Sequence, residues 1–153
     1  MKLNGPDKYH LTITNRSASV RAPDGTPHFV APATVNGKPK LYVVSKAGIL
    51  LYVGVTNQSM SVRLRGGLTA DGTHGYHGYT WGRANHDIRL DIWYLEGDDI
   101  KPPDLETIEA EVVFLYRKES GQWPQAQTEI HFHPSRNSHR EHARQIVQAF
   151  KEK

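Results

Sequence analysis

The segment KLYVVSKAGILLYVGVTNQSMSVRLRGG, residues 40–67, holds two β-rich apolar runs with one tyrosine each, followed at once by an arginine-bearing stretch. Residues 41–45 and 49–53 are apolar on both faces, as in central strands covered on two sides. Lys46-Ala47-Gly48 joins them. A three-residue hairpin loop ends in a left-handed residue, a role suited to Gly48. In that register Tyr42 lies directly opposite Tyr52, on the same sheet face. Taken alone, such a pair reads as a cross-strand aromatic contact of a core. Asn57 or Ser59 then caps a short helix that Gly66-Gly67 ends. Met60 and Leu64, four apart, face the sheet. Arg63 falls on the edge of that buried face, and Arg65 points roughly the opposite way. An arginine drawn towards a sheet requires an anionic partner, either a structural carboxylate or a phosphate.

Downstream, THGYHGYTWGRANHD (73–87) alternates glycine, aromatic and histidine residues without a helical or strand period. It reads as a loop of the kind that serves binding. A strand follows over 89–95. Pro102-Pro103-Asp104 opens a helix with Asp104 as its cap, running to about Glu119 and stopping before Gly121. Leu105, Ile108, Val112, Leu115 and Tyr116 form its core face, and Glu109 falls inside that stripe. A carboxylate there needs an ion-pair partner, for which Arg63 is a candidate, or a bound cation. TEIHFH (128–133) alternates as a strand. Residues 138–151 form a helix with Ala143, Ile146, Val147 and Phe150 on one face. Before the hairpin, Tyr9, Leu11 and Ile13 mark one strand, and 22–39 reads as loop with a short extended piece near 28–31.

The chain of 153 residues fits a single domain with a core of its own. It has no cysteine, hence no disulfide and no thiolate metal site. No apolar run approaches the roughly 20 residues of a membrane span, and the N-terminus lacks a signal peptide's apolar region. The expectation is a soluble, cytoplasmic protein. The net charge is +3, but it is unevenly spread. Between Asn36 and Leu90 stand Lys38, Lys40, Lys46, Arg63, Arg65, Arg83 and Arg89 against Asp71 and Asp87, whereas 91–113 is acidic. A basic surface suits a polyanion; an ordinary solvated face is the alternative.

These residues together resemble the GIY-YIG nuclease family, over about residues 39–133. KLY ending at Tyr42 stands where GIY would be, and Tyr52-Val53-Gly54 stands for YIG. Arg63 in SVRLR matches the family arginine, and Glu109 in IEAEVV the family glutamate. Lys40-Leu41 replaces Gly-Ile, Gln127 stands near the place of an asparagine, and His74 and His77 both come later than the family histidine. The resemblance implies phosphodiester hydrolysis in DNA with one divalent cation, Mg2+ or Mn2+, whose only protein ligand is Glu109. It implies that Arg63 clamps the scissile phosphate and that Tyr42 and Tyr52 handle the proton of the attacking water, with the choice of base between them open. His77 is set with them and His74 with the substrate, the choice of acting histidine between the two staying open. Lys46, Arg65, His74, Gln127 and His131 would bind substrate.

Two rivals stand beside this reading. His131, His133, His139 and His142 could make a zinc site, and the same fold could serve as a non-catalytic nucleic-acid-binding module. The expectation is an α/β fold with a small, mostly antiparallel central sheet flanked by helices: an extension over 1–38, a nuclease core over 39–134 and a C-terminal helix over 135–153. A lone active site cuts one strand at a time, so double-strand cleavage would need a homodimer or successive nicking. A restriction role and a repair role are both open.

Overall fold

A computed structural model describes residues 1–127 and 133–152, apart from the side chain of His74. Of the strand expected over 128–133, residues 128–132 lie outside the described residues, and His133 is not in a strand. The described fold is α/β, with one five-stranded antiparallel sheet and three helices. The strands are β1 (Lys2–Thr14), β2 (Ser17–Arg21), β3 (Lys40–Lys46), β4 (Ile49–Thr56) and β5 (His86–Glu96); the helices are α1 (Met60–Thr69), α2 (Pro102–Ser120) and α3 (Asn137–Lys151). Their order across the sheet is β2-β1-β5-β3-β4. Residues 1–38 thus supply two strands of the same sheet, one more than the alternation at Tyr9, Leu11 and Ile13 indicates. No helix among the described residues is long and apolar enough to cross a membrane.

The sheet is covered on both faces, as its apolar strands require. On one side Tyr42, Val44, Leu90 and Ile92 pack beneath Met60, Leu64 and Leu68 of α1. On the other, Leu41, Val43, Leu50, Val53 and Trp93 meet Leu105, Ile108 and Val112 of α2 and Ala143, Ile146 and Val147 of α3.

The hairpin departs from the expected register. Ala47 and Gly48 both take positive φ, 50° and 80°, the signature of a two-residue type I′ turn. Lys46 therefore pairs with Ile49. Continued straight, that pairing would send Tyr52 to the face opposite Tyr42. A bulge prevents this. Ser45 pairs with Leu50 and Val44 with Tyr52, leaving Leu51 as the extra residue. Tyr52 returns to the Tyr42 face, diagonal to it; the residue directly opposite Tyr42 is Gly54.

Two further expectations are corrected. α1 does not end at Gly66-Gly67 but runs through them to Thr69, for a packing reason given below. Asp104 is not the cap of α2 but stands three residues inside, accepting from the Lys101 amide at 2.7 Å. The basic segment also loses members. Lys40 is fully buried, and its ammonium donates to the carbonyls of Val35, Lys38 and Gln58 at 2.6, 2.8 and 2.8 Å. Burial and the neighbouring Lys38 lower its pKa to about 8. It ties the chain before β3 to the start of α1. Lys38 pairs with Glu96 at 2.5 Å and Arg89 with Asp91.

Asp104, at the start of α2, joins that helix to α3. His139 Nε2 lies 2.7 Å from its carboxylate, and Arg136 donates to it at 3.0 Å. The Arg136 amide donates to His139 Nδ1 at 3.0 Å. Both ring nitrogens of His139 are thus engaged, which removes it from the histidine metal site considered above. Burial by itself would raise the Asp104 carboxyl, but the Lys101 amide, His139 and Arg136 outweigh burial and hold it below its usual range. A carboxyl depressed in the fold adds stability above its unfolded value of about 3.9 and loses that contribution as pH falls through the lower folded value. Asp104→Asn is expected to cost about 1–3 kcal/mol at pH 7, with the gap to wild type closing below about pH 4. Urea unfolding at pH 7 and pH 3 measures it, and a gap of constant size contradicts it.

Candidate active site

Three tyrosines meet on the α1 side of the sheet. Tyr42 projects from β3, Tyr52 from the bulged β4, and Tyr79 from the loop between α1 and β5. The Tyr42 and Tyr79 hydroxyls lie 2.7 Å apart. The Tyr42 and Tyr52 rings are 6.0 Å apart, and Tyr52 and Tyr79 meet edge-on at 5.4 Å. Tyr79 in turn stacks on Trp81 at 4.5 Å. Glycines make this density possible. A Cβ on Gly54 would fall 2.4 Å from the Tyr42 ring, and one on Gly67 only 2.0 Å from the Tyr79 ring. Gly67 is therefore a seat for Tyr79 within α1, and its carbonyl accepts from the Tyr79 amide at 2.9 Å.

Arg63 leans over this cluster. Its guanidinium stands 5.0 Å from the Tyr79 ring centre and 5.7 Å from that of Tyr76, and it donates to the Tyr76 hydroxyl at 2.9 Å. These are cation–π distances. Among the described residues no carboxylate lies within ion-pair distance of Arg63, so its structural pairing with Glu109 is not formed. Burial works against its charge, but the phenols of Tyr42, Tyr79 and Tyr76 outweigh burial, and the group stays cationic. The phenols feel the opposite pressure. Burial, with Tyr79 and Tyr52 adding to it, drives the Tyr42 pKa well up against the pull of Arg63. Burial and the charge of Glu109 raise that of Tyr52, again opposed by Arg63. Tyr42 is fully buried, whereas Tyr52 is half-buried.

The second half of the site lies along β4, the edge strand among the described residues. Gln125 and Ala126 donate to the carbonyls of Leu50 and Leu51 at 3.2 and 2.7 Å. The Gln127 side chain then accepts from the Val53 amide at 3.0 Å and donates to the Val53 carbonyl at 3.1 Å, serving this edge as a further strand would. The same amide nitrogen lies 3.4 Å from Glu109 Oε1. Glu109 is buried on α2, so its carboxylate reaches the rim from beneath the sheet while Tyr52 and Arg63 reach it from above.

The sequence candidates separate accordingly. Tyr42, Tyr52, Arg63, Glu109 and Gln127 gather around this rim. Lys46 sits at the hairpin tip, 3.1 Å from His86 Nδ1, whose Nε2 meets the Trp81 carbonyl at 2.8 Å. Arg65 lies on the opposite flank of α1. The His77 ring packs on Gly72, 2.8 Å from where a Cβ there would stand, and it is Tyr76 and Tyr79 of that loop that meet Arg63. His74 lies in the short 3-10 turn Thr73–Gly75, and His131 lies outside the described residues. Tyr76, Tyr79 and Trp81 are the participants that sequence reasoning did not single out. The available signal was the pairing of GYTWG with Gly66-Gly67, small residues facing large ones.

No family model matches the chain, and neither does any curated protein or solved structure.

The glycine seat gives a paired test. Gly67→Ala is expected to destabilise by about 1–3 kcal/mol through overpacking against Tyr79. Gly66→Ala, where an added Cβ meets nothing within 4 Å, is expected to stabilise by about 0.5–1 kcal/mol through helix propensity. Denaturant unfolding of both variants measures the contrast, and shifts of the same sign contradict it.

Proposed function

We propose that this protein is a divalent-metal-dependent endonuclease of the GIY-YIG type, hydrolysing phosphodiester bonds in DNA in the cytoplasm. The observation that carries the reading is Arg63: a half-buried cation held by phenol rings, with no carboxylate at ion-pair distance among the described residues, and sharing with the buried Glu109 an electrostatic reach to Tyr52. A phosphate supplies what Arg63 lacks, and its fork suits two non-bridging oxygens.

Glu109 fits a hard cation. Among the described residues there is no cluster of three metal-ligating side chains. One carboxylate with water and phosphate oxygens matches how Mg2+ or Mn2+ is held, and not how zinc is held. A cation bound there would stabilise the charge developing on the phosphate. Arg63 shares that task by binding the phosphate oxygens. Tyr52, half-buried and within electrostatic reach of Glu109 and Arg63, would take the water's proton as its phenolate, after releasing its own proton to solvent, a loss that Arg63 favours and that burial and Glu109 oppose. Tyr42 is buried against Tyr79 and acts by fixing the cluster. Gln127 holds β4 in place and orients Glu109.

The burial of Tyr42 and the raised phenol pKa values favour a second reading, a non-catalytic nucleic-acid-binding module on the same fold. Glu109→Gln separates the two. If Glu109 holds the metal, cleavage falls about a thousandfold or more while DNA affinity and melting temperature change little. If Glu109 is a structural anion, the fold weakens by about 3–5 kcal/mol, and binding falls with it. Melting, DNA binding and Mg2+-dependent cleavage, measured on one preparation of each protein, distinguish them. A Glu109→Gln protein cutting at the wild-type rate ends the mechanism. Wild-type protein that binds DNA but cuts none of it leaves the binding module.

A further inference from the structure

We propose that the groove between α1 and β2 holds an unpaired nucleotide segment of the same substrate, at a site separate from the phenol cluster; this rests on the nuclease reading. The groove encloses about 940 Å³. Arg16 and Arg65 stand exposed on its two sides, with His28 beside them. Arg16 sits in the β1–β2 turn, where Asn15 and Arg16 take φ of 50° and 62°. Arg65 comes from the flank of α1 turned away from Arg63. Phe29, Leu64 and Leu68 are buried and form an apolar floor. Among the described residues no carboxylate lines the groove. Asp24 and Asp71, whose charges reach His28 and Arg16, lie outside the lining and accept from the Thr26 and Thr73 amides at 3.0 and 2.9 Å.

Exposed cations above an apolar floor fit a ligand that is anionic along one edge and flat on the other. An unpaired nucleotide has both features, a phosphate and an accessible base. A duplex stacks its bases inside and offers this floor nothing to cover. The two arginines of α1 extend the case. Arg63 and Arg65 are two positions apart and serve opposite flanks of one helix, so a strand crossing α1 passes from the cleavage rim to the groove.

Fluorescence anisotropy on the full chain, without metal, compares a labelled blunt duplex with the same duplex carrying an unpaired six-thymidine tail. The tail is expected to tighten binding about tenfold or more. Arg16→Gln combined with Arg65→Gln is expected to abolish that gain and to reduce the salt slope by about 1.4, the share of two single-strand phosphate contacts. Amide chemical shifts of the wild-type protein, followed while adding six-thymidine oligonucleotide, locate the site without any variant; changes at residues 16–20 and 61–69 support it. Equal affinity for both duplexes, a gain that survives the double variant, or shifts confined to the Tyr42–Tyr79 cluster overturns the proposal. So does displacement of the tail by an acidic peptide that binds the groove more tightly than the oligonucleotide. Failure to bind any nucleic acid sinks the nuclease reading with it, whereas equal binding of tailed and blunt duplexes sinks the groove site alone.

Discussion

The hydroxyls of Tyr42 and Tyr79, 2.7 Å apart, set the constraint around which the site is arranged. A buried phenol must satisfy its polar end, and these two do so with each other. The contact fixes the loop after α1 against the centre of the sheet. Tyr79 then becomes the floor beneath Arg63 and demands a glycine at position 67 of α1. The path of the following loop and the glycine in α1 follow from this buried hydrogen bond, while Met60 and Leu64, packed on the sheet, set the phase of α1 and with it the position of Arg63. Lys40 reinforces the arrangement from the other end, bonding the chain before β3 to the last residues before α1.

The edge of β4 supplies the complementary half. An unpaired strand edge is exposed to pairing with other chains. Here a side-chain amide closes it: the oxygen and nitrogen of Gln127 both bond the Val53 backbone, and the nitrogen also lies close to Glu109. A carboxylate from beneath the sheet is thereby brought to the rim that Tyr52 and Arg63 reach from above. Neither helix could assemble this group alone, because α1 and α2 pack on opposite faces.

Much of this arrangement was legible in the residues. Apolar runs bounded by Gly48 mark a hairpin, and the four-residue spacing of Met60 and Leu64 turns Arg63 to the edge of the buried face. Glu109 declares itself as a charge within an apolar stripe. The pairing of Tyr42 with Tyr52 was legible as to face but not as to register. Every residue from Ile49 to Val53 is apolar or aromatic, so no alternation reveals that Leu51 bulges. Nor does Ala47 advertise its positive φ. Gly66-Gly67 carries a composition that ends many helices; its actual role, a seat for Tyr79, depends on a loop twelve residues further on. Lys40 is of a residue type found mostly at the surface, yet it is fully buried, because the carbonyls of Val35, Lys38 and Gln58 converge on its ammonium. β2 lies at the sheet's rim with a half-polar pattern too short to stand out.

The central claim is that these phenols, Arg63 and Glu109 form a metal-dependent phosphodiesterase site. Incubation of the full chain with supercoiled plasmid and Mg2+ or Mn2+, against the same reactions with EDTA, tests it most directly. The account predicts metal-dependent conversion of supercoiled plasmid to nicked circle, stopped by EDTA. Plasmid, branched and single-stranded DNA left intact with both metals, or cut equally well in EDTA, would contradict it.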